Sequence, residues 1–240
     1  PEVDVVQDHG AAPGDGHAVE LEHRGDHDPH LTAGTRLPRR RGDRRLRADS
    51  YTRSMPTDAL TEDPRPDDTH REPSVVVLNT GDGKGKSSAA FGVMLRAVAR
   101  GWPVAVVQFV KSGDWHTGEE KLGREHGVEW HNVGQGFTWD SDDLEHDKAL
   151  AREGWAAAKG LIEAGEHRLV VLDELTYLCT WGWVDQDDVI ATIRDRPEHV
   201  NIIVTGRDAP TELIELADTV TEMTEIKHAY QQGIRAKRGI

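Results

Sequence analysis

The sequence predicts an α/β fold: one domain built on a mostly parallel β-sheet with helices on both faces. Three observations carry the prediction. Short apolar runs alternate along the chain with longer amphipathic ones, which is the pattern of strand–helix–strand crossovers. Several of the short runs are apolar nearly throughout, as strands covered on both faces are. Glycines stand just past three of the helical segments, at Gly101, Gly127 and Gly165, where a left-handed C-cap is favoured.

In chain order, strands are expected at 75–79, 104–110, 128–133, 169–173, 201–205 and, more weakly, 219–226. Helices are expected at 87–100, about 117–126, about 141–164, 185–194 and 210–216. The third helix carries Trp155, Ala158, Leu161 and Ile162 at helical spacing. In open α/β sheets ligands sit beyond the carboxyl ends of the strands. The residues with chemistry to offer fall there: Asn79 to Lys86, Gln108 and Lys111, Gly134 to Trp139, Asp173-Glu174 and Thr205-Gly206-Arg207.

Residues 1–72 read differently. They are rich in Asp, Arg, Pro, Gly and His and poor in large apolar side chains, so burial cannot offset their ordering entropy. We expect a disordered extension there, with the folded domain at 73–240. Met55 is the first methionine, so residues 1–54 also read as an upstream stretch foreign to the natural protein.

A net charge of −14 argues against nucleic-acid binding, where Lys and Arg must neutralise phosphates. The basic run from Arg36 to Arg53 is the one contrary signal, and it reads as a solvated tail. No apolar run approaches the ~18 residues of a membrane span. One cysteine, Cys179, excludes an internal disulfide and a thiolate zinc cluster, and points to a reducing compartment, the cytoplasm. Its apolar-aromatic neighbours mark it as a core residue. His116, His126, His131 and His146 do not form metal-ligand spacing.

The strongest local signal is Gly81-Asp82-Gly83-Lys84-Gly85-Lys86-Ser87-Ser88, between the first strand and the first helix. Glycines let backbone N–H groups surround phosphate oxygens, a Lys supplies charge, a Ser hydroxyl helps hold Mg²⁺, and the helix N-terminus favours anions. The usual spacing would put the first glycine at position 80, where Thr80 stands. Lys84 and Lys86 offset triphosphate charge, while Asp82 either faces outward or orders the loop. Downstream, Leu169-Val170-Val171-Leu172-Asp173-Glu174 places an acidic pair at a strand end, able to reach Mg²⁺ directly or through water. Together these features predict a single P-loop NTPase (RecA-like) domain that binds a nucleoside triphosphate with Mg²⁺, or Mn²⁺ in its place. They do not choose among hydrolysis, phosphoryl transfer (an ATPase or kinase) and something else, a non-catalytic nucleotide-binding module included.

The full string from Thr80 to Gly92 resembles the P-loop family of ATP:corrinoid adenosyltransferases. Later segments agree in the same order: Val107 to Lys111, Gly134-Gln135-Gly136-Phe137-Thr138-Trp139, Val171 to Tyr177, Val204 to Arg207, Val220 to Met223 and Lys227 to Tyr230. Two departures stand out. The family often has Asn where Asp82 stands, which adds a charge here, and Thr-Thr where Ser87-Ser88 stand, which keeps the hydroxyls.

The resemblance implies that ATP donates its 5′-deoxyadenosyl group to the cobalt of a corrinoid and that triphosphate leaves. It implies that Gly81, Asp82, Gly83, Lys84, Gly85, Lys86, Ser87 and Ser88 bind the triphosphate, with Lys86 the main countercharge. Ser87 and Glu174, with Asp173, would hold Mg²⁺. Arg96 is a candidate nucleotide contact, equally readable as a helix-surface arginine. Phe137 and Trp139 match an aromatic wedge that displaces the lower cobalt ligand and eases reduction to Co(I). A flavoprotein electron donor and a homodimer are implied as well. Trp181 and Trp183 read as a lining of the corrin face, a subunit interface or an ordinary hydrophobic cluster. His228 matches the family's terminal segment without a role that its chemistry assigns.

Overall fold

The structure is a computed structural model that describes residues 66, 68–112, 117–134, 144–235 and 237. The expectations for the extension up to residue 65, for Met55, for His116 and for Phe137 and Trp139 lie outside the described residues.

Six strands form one sheet in the order β3-β2-β4-β5-β1-β6. They are β1 (Val76–Thr80), β2 (Val104–Ser112), β3 (Glu129–Gly134), β4 (Leu169–Asp173), β5 (Asn201–Thr205) and β6 (Thr219–Glu222). Every pairing in it is parallel. The helices are α1 (Lys86–Val98), α2 (Gly118–Glu125), α3 (Leu144–Ala164), α4 (Leu175–Thr180), α5 (Gln186–Arg194) and α6 (Thr211–Leu216). A 3₁₀ turn follows at Ala229–Gln232.

Strand side chains alternate between two cores, as a pleat of period two requires. Ala105, Val107, Val170, Leu172, Ile202 and Val204 point to the face covered by α3, α4, α5 and α6. Val104, Val106, Leu169, Val171 and Ile203 point to the other face, where Ala90, Phe91, Met94 and Ala97 of α1 and the indole of Trp130 close over them. Both faces are therefore buried, which explains the unbroken apolar runs of β4 and β5. Gly101, Gly127 and Gly165 hold positive φ just beyond their helices, as the sequence predicts.

Two expectations need correction. The last strand stops at Glu222 instead of 226, and the next carbonyl, that of Met223, accepts from the glycine loop at Gly83. Helix α4 was hidden in the sequence. Its six residues, β-branched, aromatic and apolar, carry no helical periodicity, and no element is expected there. The chain turns into a helix there because Glu174 adopts a left-handed backbone (φ 67) directly after β4. Cys179, on α4, is buried, and burial pushes its thiol up to about 11.

Candidate functional site

The site lies at the carboxyl ends of β1, β5 and β4, which are neighbours in that order in the sheet. Strand β1 runs through Thr80, one residue further than the usual motif allows, so a strand residue stands where a glycine is customary. The Thr80 carbonyl accepts the N–H of Met223 at 2.8 Å, and the Met223 carbonyl accepts the N–H of Gly83 at 2.6 Å. The segment after β6 therefore lies against the back of the loop. A Cβ at Gly81 would meet the Met223 carbonyl oxygen at 2.5 Å, and one at Gly83 would meet the same carbonyl group at 2.8 Å. These two glycines serve the packing of main chain on main chain as much as any phosphate.

Lys86 opens α1 and folds back over the loop, its Nζ donating to the carbonyls of Gly81 and Gly83 at 2.6 Å each. Burial lowers its pKa, and the nearby cations Arg207 and Lys84 lower it further, while Asp82 and Glu174 pull the other way. Three cations thus share one small region of an acidic chain. Asp82, Lys84, Gly85 and Ser88 are exposed, Asp82 lining a cavity beside the loop with Arg207, and Ser87 is half-buried in the first turn of α1. Arg96 sits in the last turn of α1, exposed, ~15 Å along the helix from Lys86 at a rise of ~1.5 Å per residue. The structure does not bring it to the loop.

The sequence placed Arg207 at the ligand edge after β5 without giving it a role, and the structure has it line two cavities beside the loop. Its position is fixed from behind: Thr176 of α4 donates its hydroxyl to the Arg207 carbonyl at 2.6 Å. Gly206 (φ 144) makes room for that hydroxyl, which a Cβ would overlap at 1.9 Å. The larger cavity, about 850 Å³, is lined by Lys84, Ser88, Arg207, Tyr230, Ile234 and Arg235 among others. Tyr230 and Ile234 are exposed there and give it an apolar rim. His228, without a role in the sequence reading, accepts the Tyr230 N–H on Nδ1 at 3.0 Å and so caps the 3₁₀ turn.

The acidic pair divides its labour. Asp173 is fully buried; its Oδ1 accepts from the Thr205 hydroxyl at 2.7 Å and its Oδ2 from the Gln108 amide at 2.8 Å. Glu174 is half-buried, and its charge is felt by Lys86. Among the described residues no three His, Cys, Asp or Glu side chains gather to hold a metal ion by themselves. Ser87 offers a hydroxyl and Glu174 a carboxylate, oxygen donors only. That suits Mg²⁺, which keeps its waters and binds through one or two carboxylates plus substrate phosphates.

Tyr177 of α4 stacks on Trp181 (centroids 5.1 Å), which tilts against Trp183 at 4.9 Å. Burial raises the Tyr177 phenol; Arg207 opposes that, and Glu174 is among the acidic groups that add to it. The aromatic run is thus one cluster at the edge of the site, with Trp181 40% exposed. Among the described residues no helix is long and apolar enough to cross a membrane.

Residues 72–240 match the family described as ATP:corrinoid adenosyltransferase BtuR/CobO/CobP. The corrinoid adenosyltransferase of Escherichia coli K12 is 42% identical over 169 residues, covering 70% of this chain and 86% of that protein. The corrinoid adenosyltransferase CobA of Salmonella typhimurium LT2 is 40% identical over 178 residues, 74% of this chain and 90% of its own length. The corrinoid adenosyltransferase of Pseudomonas aeruginosa PAO1 is 44% identical over 171 residues, 70% and 84% respectively. A triphosphate loop, an acidic strand end and relatives this similar along nearly their whole length agree, and the chain belongs to the ATP:corrinoid adenosyltransferase family.

Proposed function

We propose that the chain moves the 5′-deoxyadenosyl group of ATP onto the Co(I) centre of a corrinoid, with the whole triphosphate as leaving group. The observation that carries this reading is the convergence of Lys84, Lys86 and Arg207 on one glycine loop beside an apolar-rimmed cavity of about 850 Å³. In the reaction the cobalt electron pair forms a Co–C bond at C5′. The C5′–O bond breaks, and its electrons stay on the triphosphate. The nucleophile arrives with the substrate, so the protein's task is to bind, orient and stabilise the departing charge.

Lys86 is the main countercharge. To meet a triphosphate it exchanges its bonds to the Gly81 and Gly83 carbonyls for phosphate oxygens. The loop from Gly81 to Ser88 supplies N–H groups, and Arg207 adds a second cation from the β5 side. Ser87 and Glu174 would hold Mg²⁺, or Mn²⁺, which when bound neutralises part of the triphosphate charge. Asp173 backs Glu174 from the interior. The apolar rim at Tyr230 and Ile234 suits a large, partly apolar substrate such as a macrocycle. Phe137 and Trp139 supply the wedge that lowers the coordination of Co(II). A flavoprotein delivers the electron, the working form is a homodimer, and the compartment is the reducing cytoplasm. The wedge, the electron donor and the homodimer rest on the family resemblance, and the compartment rests on the single cysteine.

Incubating the protein with ATP, Mg²⁺ and chemically prepared Co(I) corrinoid tests the proposal. A light-sensitive Co–C product should appear together with inorganic triphosphate. Release of phosphate or ADP without that product would assign the chain an ATPase or kinase reaction instead.

A further inference from the structure

A line of buried hydrogen bonds crosses the sheet beneath its carboxyl edge. Trp130 on β3 donates its indole N–H to Gln108 Oε1 at 3.0 Å. Gln108 on β2, 2% exposed, donates its amide to Asp173 Oδ2 at 2.8 Å. The other oxygen of Asp173 accepts from the Thr205 hydroxyl, and the Thr205 oxygen accepts the backbone N–H of Glu174 at 2.9 Å. The links follow the order of the sheet, from β3 through β2 and β4 to β5. At the far end the Trp130 N–H is shared with Asn132 Oδ1, and the Asn132 amide reaches Glu120 of α2 at 3.1 Å.

The line ends on Glu174, whose left-handed backbone (φ 67) costs a non-glycine residue ~1–2 kcal/mol and must be held from outside. Position 108 has a demanding role in that hold. It must accept from an indole and donate to a carboxylate at once, which a side-chain amide of this length does. A carboxylate there could still accept from Trp130 but would offer Asp173 nothing.

We propose that Gln108 is a positioning residue for adenosyl transfer: paired with Asp173, it fixes Glu174 at the nucleotide site through Thr205. The proposal rests on the adenosyl-transfer reading. It also assigns Asp173 to the support of the site, with Glu174 in front.

A polarity swap tests this. Gln108→Glu sets two carboxylates face to face, and Asp173→Asn sets two amides face to face. In the double variant the new amide at position 173 donates to the new carboxylate at position 108. That carboxylate still accepts from Trp130, and Thr205 keeps its acceptor. With ATP and Co(I) corrinoid, each single variant should lose roughly tenfold in kcat, and the double should return to within about threefold of the parent enzyme, the non-additivity expected of residues in contact. The KM for corrinoid should hold within about twofold, since that surface is untouched. In the nucleotide-free protein, hydrogen exchange of the Glu174 amide should speed up in each single variant and slow again in the double.

A double variant no better than the worse single, or singles with parental kcat, overturns the proposal. An inactive parent enzyme instead overturns the adenosyl-transfer reading. Should a single variant fail to fold, Thr205→Val against Thr205→Ser cuts the same line one link on. Valine should lower kcat and speed the Glu174 exchange while serine preserves both, and equal behaviour of the two overturns the proposal.

Discussion

On the β1 side of the site, main chain holds main chain: Gly83 donates to Met223, and Met223 donates to Thr80. On the β4 side the same task falls to buried side chains, those of Gln108, Asp173 and Thr205. The two constructions tolerate change differently. A backbone clamp survives the loss of a functional side chain but not the addition of a single methyl group. A side-chain network accepts no single change that removes one of its donors or acceptors, because a buried polar group left bare costs ~1–3 kcal/mol, yet it can accept a matched pair of changes.

The largest effect should come from Lys86→Ala. Removing the principal cation beside the leaving group should lower kcat by ~10²–10³-fold, the range seen when one preorganised charge-stabilising group is deleted. Thermal melting should move little, because the loop keeps its bonds to Met223. A large fall in stability would mean that Lys86, not the backbone clamp, holds the loop.

Next comes a pair that belongs to neither construction. Phe137→Ala with Trp139→Ala should cost roughly 100-fold with Co(II) and a biological reductant, but only a few-fold with prepared Co(I), a split that isolates the reduction step. Equal loss in both assays would remove the wedge from the mechanism.

Gly83→Ala probes the clamp itself. Its new methyl group would press on the Met223 carbonyl group at 2.8 Å, so stability should fall by ~1–3 kcal/mol, the usual cost of overpacking, with weaker ATP binding alongside. A variant as stable as the parent would show that β6 yields easily and that the glycine is there for phosphate alone.

The smallest effect supplies a baseline remote from both constructions. Asp188 on α5 accepts from Lys159 Nζ at 2.6 Å and from Trp155 Nε1 at 2.7 Å, joining α3 to α5. The bond from Lys159, then that from Trp155, holds its carboxyl below the ordinary carboxylate value. A depressed folded pKa contributes stability above the unfolded value and loses it as pH falls through the folded one. Asp188→Asn should therefore lower the melting temperature slightly at neutral pH and flatten its decline on acidification. An unchanged acid limb would show that the pair contributes nothing.

The contrast between the two constructions also explains what could be read in the sequence. A glycine loop is local, so Gly81 to Ser88 announces itself in a single stretch. The side-chain network depends on β4 lying between β2 and β5, and no local pattern encodes that order. Gln108 and Thr205 were visible as polar strand ends, but their partnership was not. Arg207 escaped as a site residue for the same reason, since β5 reaches the loop only through its place beside β1. Thr80 looked like a defect in a motif until the extra strand residue and its bond to Met223 gave it a place.

The hold of Met223 on the loop bears on how the protein is made. Residues 81–88 leave the ribosome early, whereas the carbonyl that fixes Gly83 is synthesised much later. A nascent or interrupted chain that ends before residue 223 carries the complete phosphate motif without the wall that shapes it. Chains cut short before residue 223 should therefore hold ATP more weakly than the finished enzyme and compete poorly with it for nucleotide.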